Sequence, residues 1–285
     1  MSGEVALTAV PAPPSGCLGH SRTGERWRPL LATLRRAALY VALPLALVAV
    51  WQGLYSLGLI RPILLPPPTT VGATFWTLTV SGELPHHLAV SLRRVLEGFA
   101  IAAALALPLG VGIGISRPLD HVTDLLIQLV KPIPPIAWIP LAILWFGIGE
   151  EAKVFIIALG AFFPVLINTI DGIRQTDHRH VELARVLEVS RWKFISRVVL
   201  PGALPAIMTG LRIGLMVGWI CVVAAELIAA SSGVGYLIMD ARQLSQTDVV
   251  LVGMITIGAM GKLLDSLLKR LERHLIGWRT SFTGP

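Results

Sequence analysis

Long apolar stretches constrain this chain more than any other feature of its sequence. A helix needs about 20 apolar residues to cross the hydrocarbon core of a bilayer. Hydrophobic residues make up 54% of the chain and charged residues only 14%, whereas a typical soluble domain has about 25% charged residues. The apolar residues are bunched into runs, so we expect an all-α membrane protein with six transmembrane helices, over 37–60, 88–116, 125–148, 153–172, 204–230 and 249–268.

The distribution of basic residues predicts on which side of the membrane each loop lies. An even number of spans puts both termini on one side, and cytoplasmic loops carry an excess of Lys and Arg. The two termini and the 173–203 connection hold most of the 24 Lys and Arg residues, so both termini are predicted to be cytoplasmic. Arg93 and Arg94 go against this rule, because they fall near the outer end of the second span. Because most basic residues lie in the termini and the 173–203 connection, we attribute the net charge of +7 to membrane topology rather than to nucleic-acid binding.

The segments outside the spans differ in composition. A cleaved signal peptide has its charges before its apolar stretch. In the first 36 residues, Pro11, Pro13 and Pro14 come before the basic cluster, so this segment does not match a signal peptide. The outer loop contains consecutive prolines, followed by residues 71–80, which are predicted to form a short helix. The predicted divisions are a cytoplasmic basic tail (1–36), the first transmembrane helix (37–60), the outer loop (61–87), a core membrane domain (88–272) and a C-terminal tail (273–285).

The cytoplasmic connection over 173–203 carries the strongest functional signal in the chain. Ala184 and Leu187 fall on one face of a predicted amphipathic helix. Ser190 is predicted to cap a second short helix, which Pro201 is predicted to end. Two short helices joined by a tight turn would form a protrusion on the cytoplasmic side that a soluble partner can bind. The alternative is an amphipathic helix that lies on the lipid surface.

The same connection contains three motifs in order, which are Glu182-Leu183-Ala184, Ser190-Arg191-Trp192 and Leu200-Pro201-Gly202-Ala203-Leu204-Pro205. Together they resemble the EAA coupling loop of ABC importer permeases. In that family the first helix of the loop lies in a cleft of the ATP-binding subunit and transmits its closure to the pore. The resemblance implies that the ATP-binding subunit is contacted by Glu182, Ala184, Arg185, Leu187, Glu188 and Ser190.

Glu188 departs from the pattern of the family, which usually has glycine at this position. Glycine there permits a left-handed turn, whereas any other L-residue costs about 1–2 kcal/mol in that conformation. Either Glu188 bears this strain, or the turn between the two helices is built differently.

Motifs elsewhere narrow the resemblance to one branch of these permeases. They are KPIPPIAWIP over 131–140, LWFGIGE over 144–150, Gly218-Trp219, and AAELIAA over 224–230. Over about residues 62–278 the chain is similar to the nitrate/sulfonate/taurine branch, and within it to the taurine permeases. This likeness implies a type I ABC importer (MetI-like) permease fold in a bacterial plasma (inner) membrane.

The resemblance also implies partners and a cargo. The partners are a second copy of the permease in a homodimer, two ATP-binding subunits and an extracytoplasmic substrate-binding protein, with membrane lipid around the spans and no nucleic acid. The implied cargo is a small organic anion or zwitterion, taurine or another aliphatic sulfonate, moved inward by alternating access. Nitrate, bicarbonate or another small anion stays open as the cargo.

ATP hydrolysis is expected on a partner subunit, because the chain lacks a phosphate-binding loop. Gly261-Lys262 is the only Gly-Lys pair, with Thr256 at the position of the first loop glycine and Leu263 where Ser or Thr would bind magnesium. We therefore expect no enzyme activity, no cofactor and no metal on this chain, with ATP and Mg on the partner. The rival class is an ion-coupled secondary transporter, which often shows internal repeats and an ion site at the membrane midplane.

Prolines and tryptophans inside the spans are candidates for the translocation path. Each proline in span three removes an N–H and frees a carbonyl that lipid cannot satisfy. A kinked helix that lines the path is one reading, and a kink that serves only packing is the other. The candidate path residues are Pro135, Trp138, Pro140, Trp219 and Glu226.

Glu226 is a carboxylate inside an apolar span, where a charge is costly and normally faces protein or water. It could bind the ammonium of a zwitterion such as taurine, pair with an arginine of this chain, or accept hydrogen bonds from backbone or a neighbouring helix. In the same span, glycines recur every fourth residue and predict close packing against another helix, at Gly210, Gly214 and Gly218.

Overall fold

The computed structural model describes residues 28–61, 63–175 and 189–276, and every regular element in these ranges is a helix. The expected all-α class is therefore confirmed. The helices are α1 (Arg28–Ser56), α2 (Pro68–Val80), α3 (Glu83–Ile115), α4 (Arg117–Val130), α5 (Ile139–Phe146), α6 (Glu150–Arg174), α7 (Leu200–Ala229), α8 (Val234–Gln243) and α9 (Thr247–Leu275).

Four helices among the described residues are long and apolar enough to cross a membrane, and a bent pair makes up to five. The four are α3, α6, the continuous helix Trp192–Ala229 that contains α7, and α9. The bent pair is Arg117–Val130 with Pro135–Phe146. The described apolar part of α1 is Val41–Ser56, which is shorter than a full span.

The third predicted span, over 125–148, is broken in two rather than kinked. The chain breaks after α4, and α5 with its leading 3-10 turn Pro135–Trp138 continues at an angle of 84° to α4. Pro132, Pro134 and Pro135 each lack the N–H that would continue the helix, and in a continuous helix each ring would clash with the carbonyl four residues earlier. The prolines therefore produce a break between two helices rather than a kink within one. We call residues 131–138 the helix break.

The prediction that Pro201 ends a short helix is wrong. The helical turn Arg191–Phe194 passes through a π-helical turn, Ile195–Val199, directly into α7. Pro201 lies in the first turn of α7, where its missing N–H is tolerated next to the wider hydrogen-bond spacing of the π turn. The helix that begins in the cytoplasmic connection therefore runs without interruption to Ala229.

Helix α6 lies at the centre of the fold and packs along both α3 and α7. The glycine stripe of α7 faces α6 at short range. A Cβ on Gly210 would lie 2.7 Å from Asn168 Cβ, and one on Gly214 would lie 2.8 Å from Val165 Cγ2. Lipid is as apolar as these side chains, so close backbone approach supplies the packing energy that holds the two helices together.

Candidate functional site

Arg94 forms the centre of a buried polar network at the end of the bundle where α7 turns into α8. The residue is only 2% exposed. Its Nε and Nη2 donate to the two carboxylate oxygens of Glu150 at 2.5 and 2.7 Å. Its Nη1 donates to Glu226 Oε1 and to the carbonyl of Ser232, both at 2.7 Å, and Nη2 also reaches Ser232 Oγ at 3.1 Å. All three nitrogens of the guanidinium are therefore used.

Glu226 is 1% exposed and accepts hydrogen bonds from three directions. Ser91 Oγ lies 2.8 and 2.9 Å from its two oxygens, and the N–H of Gly235 donates to Oε2 at 3.0 Å. Arg94 supplies the third contact. Of the roles open to Glu226 from the sequence, the structure shows pairing with an arginine of this chain and bonding to backbone.

The network also holds the turn between α7 and α8 against α3. The N–H of Val234 donates to Ser91 Oγ at 2.9 Å, and the N–H of Gly233 donates to His87 Nδ1 at 3.0 Å. Gly233 has a φ of +113°, and a Cβ there would overlap the carboxylate of Glu226. Only glycine fits this position, because it needs both a left-handed backbone and the absence of a side chain.

Opposite charges balance within this network. Lys153 is buried one turn along α6 from Glu150, and its Nζ lies 2.8 Å from Glu150 Oε1. Two cations therefore face two carboxylates, since Arg94 contacts both Glu150 and Glu226. This balance explains why Arg94 can lie where the distribution of basic residues disfavours it. Removing one charged side chain of the network would leave a buried charge without its partner.

The remaining candidate path residues do not form one cluster. Trp219 is 2% exposed, and its Nε1 donates to the carbonyl of Ile257 at 3.1 Å, which joins α7 to α9. Pro140 is exposed near the start of α5. Pro135 and Trp138 line a cavity of about 350 Å³ between the helix break, α6 and α7. Glu226 and Trp219 are not among the residues that line this cavity.

The cavity has apolar walls and a small polar portion. Trp138, Phe163, Ile213 and Val217 contribute apolar side chains. Lys131 and Asn168 also line it, and Asn168 Nδ2 donates to the carbonyl of Pro164 at 2.8 Å. The sequence reading did not single out Lys131 or Asn168, although a lysine inside the 125–148 apolar run was a visible signal.

The predicted coupling residues lie mostly outside the described ranges. Glu182, Ala184, Arg185, Leu187 and Glu188 belong to residues 176–188, which the structure does not describe. Ser190 is described and exposed, and its carbonyl accepts the N–H of Phe194 at 3.0 Å, at the start of the helical turn Arg191–Phe194. Among the described residues, no group of three or more His, Cys, Asp or Glu side chains could hold a metal ion.

Comparisons with known proteins agree with this architecture. The family described as "binding-protein-dependent transport system inner membrane component" matches residues 104–277. A Bacillus subtilis protein named as an aliphatic sulfonates transport permease, SsuC, is 47% identical over 85% of this chain and 88% of its own length. The taurine transport system permease TauC of Escherichia coli is 39% identical over 91% and 95%. The bicarbonate transport system permease CmpB of Synechococcus elongatus is 40% identical over 65% and 67%.

A solved structure shows the same fold. It is the MetNI methionine ABC transporter in an inward-facing conformation, with a TM-score of 0.57 and 19% identity, covering 65% of this chain and 92% of that chain. The expected type I (MetI-like) permease fold is therefore confirmed. The chain belongs to the family of binding-protein-dependent transport system inner membrane components, and it is a multi-pass permease subunit of an ABC importer.

Proposed function

We propose that this permease carries a small organic anion into the cytoplasm, with aliphatic sulfonates and the zwitterion taurine as the cargo class. The observation that carries this proposal is the 47% identity to a permease named for aliphatic sulfonates, over 85% of the chain. The taurine permease is less similar but covers more of the chain, so it supports the same class. A bicarbonate permease matches a shorter part of the chain, which makes an inorganic anion the second candidate.

In this proposal six spans cross the membrane and both termini lie in the cytoplasm. The four long apolar helices and the bent pair supply five of these spans. Helix α1 supplies the sixth, with Val41–Ser56 as its apolar part. Two copies of the permease pair in the membrane, two ATP-binding subunits attach from the cytoplasm, and a substrate-binding protein docks outside. ATP and Mg belong to the ATP-binding subunits.

The continuous helix Trp192–Ala229 supports a mechanical link between ATP hydrolysis and the opposite end of the bundle. Its first residues belong to the segment that resembles the coupling loop, and its last residues join the network of Arg94 and Glu226. Closure of the ATP-binding subunits would move the coupling segment, and a rigid helix would carry that displacement to the turn held against α3. Alternating access then exposes the cargo to each side in turn.

ATPase activity of the reconstituted transporter tests the cargo class. The permease, its ATP-binding subunit and its binding protein are assembled in lipid and offered taurine, propane-1-sulfonate, nitrate and bicarbonate. Stimulation by either sulfonate supports the proposal. Stimulation by bicarbonate or nitrate alone would replace the cargo class, and failure of the ATP-binding subunit to associate with the permease would overturn the mechanism.

A further inference from the structure

The cavity at the helix break lies near the middle of two spans. Its lining on α6 extends from Leu159 to Asn168, within a helix that spans Glu150–Arg174. Ile213 and Val217 contribute from α7. At a rise of 1.5 Å per residue, Ile213 is about 20 Å or more from either end of α7. The cavity therefore lies between the ends of two helices that are long and apolar enough to cross a membrane.

Lys131 lines this cavity as an exposed cation, and it has no carboxylate partner among the described residues. Three basic side chains of other spans have carboxylate partners, since Arg94 and Lys153 contact Glu150, and Arg212 contacts Asp265 at 3.2 Å. A charge inside a membrane is costly, and such residues normally face a partner charge, a cavity or a path for ions. Lys131 lines the cavity, so its missing counter-charge has room to bind there.

Asn168 adds a second polar group to the same cavity. One N–H of its amide donates to Pro164 O, which leaves the second N–H for an oxygen acceptor. The three N–H groups of the Lys131 ammonium and this amide N–H together match a headgroup with several acceptor oxygens. None of the cavity-lining residues in the described ranges is Asp or Glu, so an anion meets no repulsion from the walls.

The apolar walls indicate the rest of the ligand. Trp138 and Phe163 offer aromatic faces, and Ile213 and Val217 offer branched aliphatic surface. A volume of about 350 Å³ is at the lower end of the range for small-molecule sites. Such walls suit a short alkyl chain but provide no carboxylate for an ammonium group.

We propose that the cavity at the helix break binds the anionic headgroup of the cargo through Lys131 and Asn168, with a short alkyl chain against the apolar walls. This inference rests on the proposed function and deepens it. The described lining residues include no Asp or Glu, so the ammonium group of taurine finds no counter-charge in this cavity. Unsubstituted alkanesulfonates therefore bind there more tightly than taurine does.

Equilibrium binding of radiolabelled propane-1-sulfonate tests this site. The full-length permease is assembled with its ATP-binding subunits in lipid nanodiscs, without the binding protein, so that only the membrane site is measured. Lys131→Gln removes a charge-assisted hydrogen bond and is expected to raise the Kd about 10-fold or more. Lys131→Arg keeps the charge and is expected to recover most of the affinity.

A matched lysine and an uncharged ligand separate a binding role from a structural one. Lys262 is an exposed lysine of α9 outside the cavity, and Lys262→Gln is expected to change the Kd less than twofold. Wild type is expected to prefer propane-1-sulfonate to the uncharged propane-1-sulfonamide, and Lys131→Gln is expected to lose that preference. A structural defect would weaken both ligands together.

The outcomes distinguish this inference from the proposed function. Equal effects of Lys131→Gln and Lys262→Gln would overturn the inference, as would the absence of propane-1-sulfonate binding by a wild-type complex that transports it. Binding that depends on Lys131 in a complex that transports no sulfonate would support the site and overturn the proposed cargo class.

Discussion

Arg94 of α3 and Glu226 of α7 form a buried ion pair of 2.7 Å, although they stand 132 positions apart in the chain. The pair lies where α7 turns into α8, and Glu150 and Lys153 of α6 complete the charge balance. The turn itself is bonded to Ser91 and His87 of α3. The network therefore fixes the geometry of this turn relative to two neighbouring helices.

Removal of Arg94 is expected to destabilise the permease strongly. Arg94→Met leaves the fully buried Glu226 without its cation, whereas Glu150 keeps its contact with Lys153. Breaking a buried pair on one side typically costs about 3–5 kcal/mol. Thermal unfolding of the detergent-purified permease is expected to show a melting temperature lower by many degrees. Arg93→Met is the control, because Arg93 is exposed and its one ion pair among the described residues is with Glu97 on its own helix. An equal loss in both variants would contradict the network.

Substitution of Gly233 is expected to distort the turn between α7 and α8. Gly233→Ala places a Cβ against the Glu226 carboxylate and forces a non-glycine residue to a φ of +113°. The backbone strain alone amounts to about 1–2 kcal/mol, so both the melting temperature and transport are expected to fall. Gly258→Ala is the control, since a Cβ there meets no atom within 4 Å. Wild-type behaviour of Gly233→Ala would contradict this description of the turn.

Trp219 is expected to act in packing rather than in substrate contact. Trp219→Phe keeps most of the apolar volume but removes the hydrogen bond to Ile257 O, which is worth about 1 kcal/mol. The melting temperature is expected to drop slightly, and the KM for uptake is expected to stay at the wild-type value. Trp76→Phe, at an exposed position on α2, controls for the loss of an indole. A raised KM with unchanged stability would place Trp219 in the translocation path.

The proline break is expected to be necessary for transport. The double variant Pro132→Ala and Pro134→Ala restores two backbone N–H groups and favours a continuous helix from α4 to α5. Straightening this segment would remove the cavity, so uptake is expected to fall several-fold while thermal stability is kept. Pro108→Ala, inside the continuous helix α3, is the matched control and is expected to transport normally. Full uptake by the double variant would show that the break serves only packing.

The apolar runs predicted α3, α6, α7 and α9 well, because span length and hydropathy are local properties of the sequence. The prolines at 132 and 134 indicated a kink, but the 84° angle depends on how α5 packs against α6. The partner of Glu226 could not be chosen from the sequence, since pairing with Arg94 requires the tertiary arrangement of α3 and α7. The sequence shows Lys131 as a charge within a predicted span, but it does not show that Lys131 lines a cavity.

Uptake of radiolabelled propane-1-sulfonate into proteoliposomes tests the central claim most directly. The complete transporter, with its ATP-binding subunits and binding protein, is assayed with ATP supplied on the cytoplasmic face and the proton gradient collapsed by an ionophore. We predict uptake that requires ATP and the binding protein and continues in the presence of the ionophore. Uptake that proceeds without ATP and stops when the gradient is collapsed would contradict it.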